Sequence, residues 1–122
     1  ADRRVEALSG GMRRLLGIAQ SLVGEPPVAV FDEPASGLDP SMAANAFEIL
    51  AEQAAAGTAV LVSSHDLSLV DRFADRVVFL NRGSAIVSGS PAELADATNS
   101  ETLWEVYESV IREPAARREV EA

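Results

Sequence analysis

A chain of 122 residues with 48% hydrophobic residues has the length of one domain and enough apolar content for a folded core, which excludes wholesale disorder. The net charge is −9 and all ten basic residues are arginine; the acidic balance argues against a general nucleic-acid coat, since neutralising phosphates needs a basic stripe. No apolar run approaches the roughly 18–20 residues that cross a bilayer, and the absence of cysteine excludes disulfides and thiolate metal sites.

Ala1-Asp2-Arg3-Arg4 leads into no apolar signal region, so nothing here directs export. The sequence opens without methionine, almost inside its first motif, and is expected to be a truncation. Ser9 can cap a helix from about Gly11 to Val23, with Met12, Leu15, Leu16, Ala19, Leu22 and Val23 on one face and Gly24, Pro26 and Pro27 stopping it. Arg13 and Arg14 fall in its first turn, where the helix dipole disfavours cations, so a phosphate or an acidic partner nearby would relieve a conflict. Val28 to Asp32 is a short apolar run without alternation, the pattern of a strand buried on both faces. Asp39-Pro40 starts the next helix, whose core face is Ala43, Ala46, Phe47, Leu50, Ala51 and Ala54, ended by Gly57.

Thr58 to Ser63 reads as a second buried strand, and Asp66 to about Ala74 as a helix capped by Asp66. Arg76–Leu80 and Ser84–Val87 read as strands joined by the hairpin turn Asn81-Arg82-Gly83. Ser90-Pro91-Ala92-Glu93 has the spacing of a capping box. A last amphipathic helix, from about Ser100 to Arg112, places Leu103, Val106, Tyr107, Val110 and Ile111 on one side, with Trp104 in a packing role. Pro114 ends it, and the charged remainder is expected to be mobile. Helix and strand alternate up to Leu80, so the fold class is α/β, a parallel sheet flanked by helices. The division drawn from sequence is 1–98 for the main domain and 99–122 for the amphipathic helix and tail.

Four motifs carry the chemistry. Val28–Glu33 is a strand that delivers the carboxylates of Asp32 and Glu33 to the C-terminal edge of a parallel sheet, where open α/β folds bind ligands. Leu8-Ser9-Gly10-Gly11-Met12 puts bare backbone N–H groups at a helix N-terminus, suited to an anion. A plain N-cap would equally account for Ser9. Ser36-Gly37-Leu38-Asp39 is a loop ending in a helix cap, which is a complete structural explanation of Asp39. Ser63-Ser64-His65-Asp66 sets the only histidine directly after an apolar strand, at the sheet edge of Asp32 and Glu33.

In this order and spacing the motifs resemble the C-terminal half of the ATPase domain of ATP-binding-cassette (ABC) proteins, over roughly residues 5–95, as a partial P-loop NTPase fold. The sequence has no lysine, so the phosphate loop GxxxxGK[ST] of that fold is not within these 122 residues. The resemblance implies Walker B roles, with Asp32 on Mg²⁺ and Glu33 polarising the attacking water. It implies that His65 is the switch histidine at the γ-phosphate. Ser9, Gly10 and Gly11 would belong to the signature motif that meets ATP held by a second ATPase domain, and Asp39 to the D-loop. The family more often has glutamine at the place of Met12, which leaves the backbone contacts in place but removes a side-chain hydrogen bond. The implied cofactors are ATP and Mg²⁺. The implied partners are a membrane-spanning permease subunit and a second ATPase domain, with no nucleic acid. The implied location is cytoplasmic, peripheral on the inner face of the cell membrane. Ser9–Arg14 and Leu103–Tyr107 are similar to ATPase subunits of bacterial export-type permeases. Two alternatives stand beside this reading: a non-transport ABC ATPase, and a catalytically dead remnant that only binds a partner.

Overall fold

The computed structural model describes residues 10–112, so the expected cap by Ser9, the stop at Pro114 and the mobile tail lie outside the described residues. The described chain forms two compact units that meet between His65 and Asp66.

In the first unit, α1 (Gly10–Ser21) leads into β1 (Val28–Asp32), then α2 (Pro40–Ala55) and β2 (Ala59–Ser63). Asp39 caps α2, its Oδ1 accepting the Met42 N–H at 2.9 Å, with Pro40 at the first turn, as that local sequence requires. The strands β1 and β2 pair in parallel from Val28↔Ala59 to Asp32↔Ser63. A β-α-β crossover is the ordinary way to join two parallel strands, and α2 is the helix of that connection. Ile18, Leu22, Ala29, Ala46 and Leu50 form the buried core of this unit, with Leu15, Phe31, Val60 and Val62 packed against it.

Two expectations change here. The buried stripe of α1 runs through Leu15, Ile18 and Leu22, whereas Met12 and Val23 are exposed. The stripe is rotated because α1 turns its Ile18 side to Ala29 and α2. The strands, expected to be buried on both faces, are covered on one only: Val28, Val30 and Leu61 are 61%, 67% and 66% exposed. Alternation with period two puts Ala29 and Phe31 toward the helices and Val28, Val30 and Asp32 on the opposite face. Among the described residues nothing covers that second face.

In the second unit, α3 (Leu67–Phe73) is followed by the antiparallel hairpin β3 (Val77–Asn81) and β4 (Ser84–Gly89), then α4 (Pro91–Thr98) and α5 (Leu103–Arg112). Arg82 and Gly83 both have positive φ, 49° and 80°, the mirror-image turn whose twist suits a two-residue hairpin. The register shifts between Phe79 and Leu80, and this bulge lets the adjacent Ile86 and Val87 both be buried. Ser90 accepts the Glu93 N–H at 3.1 Å and caps α4. Asp71 of α3 accepts the Leu103 N–H at 3.1 Å, satisfying an otherwise unpaired donor at the start of α5.

The core here is Val77, Phe79, Ile86, Val87, Leu94, Leu103, Val106 and Val110. The sequence set α5 apart beyond residue 98, yet it packs into this same unit. Trp104 is 56% exposed and stacks on Tyr107, which meets Phe79 edge-on with ring centres 5.7 Å apart. Leu94 is 1% exposed, at the junction of α4 with β4 and α5. Leu94→Ala is expected to cost about 2–5 kcal/mol in chemical unfolding, the range for emptying a well-packed leucine site. A loss below about 1 kcal/mol would show that the site collapses around the smaller side chain.

Candidate functional site

The C-terminal ends of β1 and β2 stop level with each other, because Asp32 is paired with Ser63. Both side chains project to the open face of the sheet, two residues beyond Val30 and Leu61. The Ser63 hydroxyl donates to Oδ1 of Asp32 and accepts the Glu33 N–H at 2.9 Å. That same N–H also reaches the Ser63 carbonyl at 3.0 Å, so one donor is shared between two acceptors of a single residue.

At Glu33 the chain leaves the strand with φ 48°, a left-handed conformation uncommon outside glycine. This turn redirects the Glu33 side chain toward the strand end of β2, where Oε1 lies 2.7 Å from Nδ1 of His65. With the carboxylate ionised it can only accept, so Nδ1 carries the proton between them and Nε2 is turned away from Glu33. The pair is open to solvent: the His65 side chain is 83% exposed and that of Glu33 35%. A side-chain contact at this exposure adds little to stability.

The turn is held from its other side by α1. The Arg14 guanidinium donates to the backbone carbonyls of Glu33 at 3.1 Å and Pro34 at 3.4 Å. At Arg14 the dipole conflict posed by an arginine early in α1 is thus met by two carbonyl oxygens. Pro34 is buried, and the loop then reverses through Gly37, φ 79°, into the Asp39 cap.

The signature-like glycines differ from each other. A Cβ on Gly11 would lie 2.6 Å from Met42 Sδ and 3.4 Å from a Leu38 methyl, so α1 approaches the start of α2 closely there. Among the described residues, a Cβ on Gly10 would meet nothing within 4 Å. Internal packing therefore accounts for Gly11 and leaves Gly10 unaccounted for. Ser9 lies outside the described residues.

The structure brings together Asp32, Glu33 and His65. Asp39 serves as a helix cap on the adjoining loop, with its Oδ1 engaged by the Met42 N–H. Two members of the cluster were missed from sequence. Ser63 was noted only as part of the run before His65, although the equal length of the two strands pairs it with Asp32. Arg14 was read only against its own helix, and its contact is with residues 19 and 20 positions away.

A single exposed carboxylate at a strand end fits Mg²⁺, a hard cation that keeps several waters and takes one or two protein oxygens. Among the described residues no cluster of three or more acidic, histidine or cysteine ligands forms a closed metal cage. Among them, too, no helix is long and apolar enough to cross a membrane.

Residues 2–71 match a family model described as "AAA domain, putative AbiEii toxin, Type IV TA system". The chain is similar to the phosphonates import ATP-binding protein PhnC of Bordetella parapertussis, 40% identical over 85% of this chain and 41% of that protein. It is nearly as similar to the Nod factor export ATP-binding protein I of Ralstonia nicotianae, 39% identical over 88% of this chain and 33% of that protein. The likeness therefore does not separate import from export. Among solved structures, the ATP-binding subunit of an ABC transporter superposes with TM-score 0.74 at 31% identity, covering 88% of this chain and 45% of that one. A dimeric bacterial ABC transporter cassette gives TM-score 0.63 at 27% identity over 74% of this chain and 39% of its own. The chain thus spans less than half the length of these relatives. With its parallel strand pair, acidic strand end and following histidine, the chain belongs to the ATP-binding-cassette family, and it also matches the AAA-domain model over residues 2–71.

Proposed function

We propose that this chain is the C-terminal part of an ATP-binding and ATP-hydrolysing subunit that powers an ABC transporter. The observation that carries this reading is the 2.7 Å contact of Glu33 with His65 beside Asp32, at the end of a parallel strand pair. Relatives named as import and export ATP-binding proteins support it.

In this reading Glu33 orients and polarises the attacking water with the carboxylate oxygen that His65 does not occupy. His65 steadies the glutamate through Nδ1 and offers Nε2 toward the γ-phosphate. A ring that donates from Nδ1 to Glu33 donates from Nε2 as well only as imidazolium. Asp32 would hold Mg²⁺, which neutralises charge on the phosphates of the substrate ATP. Positioning and electrostatics carry phosphoryl transfer, so a few well-held groups suffice. The tip of α1, with Ser9, Gly10 and Gly11, meets ATP bound on a second ATPase domain, and the loop ending in Asp39 lies at the same dimer contact. The partners are that second domain and a membrane-spanning permease, with the ATPase peripheral on the cytoplasmic face of the membrane. Nucleic acid is not a partner.

The phosphate loop belongs, in this reading, to a part of the protein outside these residues, and the 122 residues alone do not turn over ATP. The coding DNA upstream is expected to carry an in-frame GxxxxGK[ST]. A stop codon and a local start there would favour a remnant that only binds a partner.

In the complete protein Glu33→Gln is expected to lower ATP hydrolysis by about 10²–10⁴-fold, the usual worth of a positioned general base, with ATP binding retained. Turnover at the wild-type rate would sink the assignment. Gly10→Ala is expected to leave the unfolding midpoint unchanged, since its Cβ meets nothing within 4 Å. The same variant should reduce ATP-driven dimerisation and hydrolysis, because the methyl group stands where the helix tip meets phosphate. Unchanged hydrolysis would remove Gly10 from the nucleotide contact.

A further inference from the structure

The Ser63 hydroxyl touches both acidic residues at the strand ends. It donates its only proton to Asp32 Oδ1 and accepts the Glu33 N–H at 2.9 Å. Ser63 is exposed, at the last position of β2, and it buries no apolar group. Packing therefore gives no reason for this residue, whereas the hydrogen bonds do.

We propose that Ser63 is a positioning residue, fixing the Asp32 carboxylate toward a divalent cation and the Glu33 peptide in its left-handed turn through one hydroxyl. The inference deepens the reading of Asp32 and Glu33 given above and rests on it. An aspartate at an exposed strand end rotates about its terminal torsion with little hindrance, so both oxygens would sweep through the cation position. A donor on Oδ1 selects one orientation and leaves Oδ2 to face the ion. Groups that hold a metal ligand in this way are typically worth 10–100-fold in metal affinity. The second hydrogen bond links this orientation to the Glu33 backbone, so the metal-side carboxylate and the water-side carboxylate share one anchor.

The test uses the complete protein, with Mn²⁺ as a paramagnetic probe whose free fraction is followed by electron paramagnetic resonance in the presence of ATP. Ser63→Thr and Ser63→Val are the informative pair, being nearly isosteric and both suited to a strand, but differing in the hydroxyl. Ser63→Thr is expected to keep wild-type Mn²⁺ affinity. Ser63→Val is expected to weaken it by about 10-fold or more, at an unfolding midpoint matching that of the threonine variant. In hydrolysis, the valine variant should need correspondingly more Mg²⁺ for half-maximal rate and should not recover full kcat at saturation, because the Glu33 N–H has also lost one of its two acceptors. Should Ser63→Val fail to fold, Ser63→Ala takes its place in the same comparison.

Asp32→Asn separates this proposal from the reading beneath it. Loss of Mn²⁺ binding in Asp32→Asn with equal affinity in the threonine and valine variants overturns the role of Ser63 alone. Unchanged Mn²⁺ binding in Asp32→Asn overturns both.

Discussion

Everything at the site depends on the parallel register of β1 with β2. Because Val28 is paired with Ala59, the strands run out together, and Asp32 is brought opposite Ser63. One residue of slip in either strand would send that strand's side chain to the helix-covered face and break the contact between them. With the strand ends level, a single turn at Glu33 and a step of two residues past Ser63 are enough to bring the Glu33 carboxylate to His65. The chemistry is thus assembled from residues some thirty positions apart by a five-residue ladder.

The backbone at Glu33 adds a second constraint. A left-handed conformation at a residue other than glycine costs on the order of 1–3 kcal/mol. It persists because the peptide groups around it are engaged on both sides: the N–H by the Ser63 oxygens and the C=O by Arg14. Each such bond contributes about 0.5–1.5 kcal/mol net, more where a charge is involved, so together they offset the strain. The arrangement ties α1, whose tip carries the glycine motif, to the residue that would direct water.

Local rules made much of this legible in the sequence. The cap of Asp39 on α2, the Arg82-Gly83 turn and the cap of Ser90 on α4 each depend on a few adjacent residues, and each stands as expected. The acidic strand end and the histidine after the second strand pointed to residues that the structure brings together. What stayed hidden depends on long-range geometry. A five-residue apolar run such as Val28–Asp32 looks alike whether one face or both are covered, and Val30 proved exposed. The stripe of α1 was misplaced because Met12, Leu16 and Ile18 are all apolar, and only the position of Ala29 and α2 selects among the possible faces. Arg14 and Ser63 were overlooked because their partners lie 19 or more residues away in the chain.

The open face of β1 and β2 has a further consequence, for the fate of the polypeptide before it is assembled. Val28, Val30 and Leu61 form a small aliphatic strip in water, on a sheet that has only two strands among the described residues. Unpaired strand edges beside exposed aliphatic side chains are templates for pairing with other chains. A polypeptide stretch of this kind is a natural client for chaperones and a poor candidate for concentrated solution. The sheet face that ends in Asp32 and Ser63 is therefore also a surface prone to self-association.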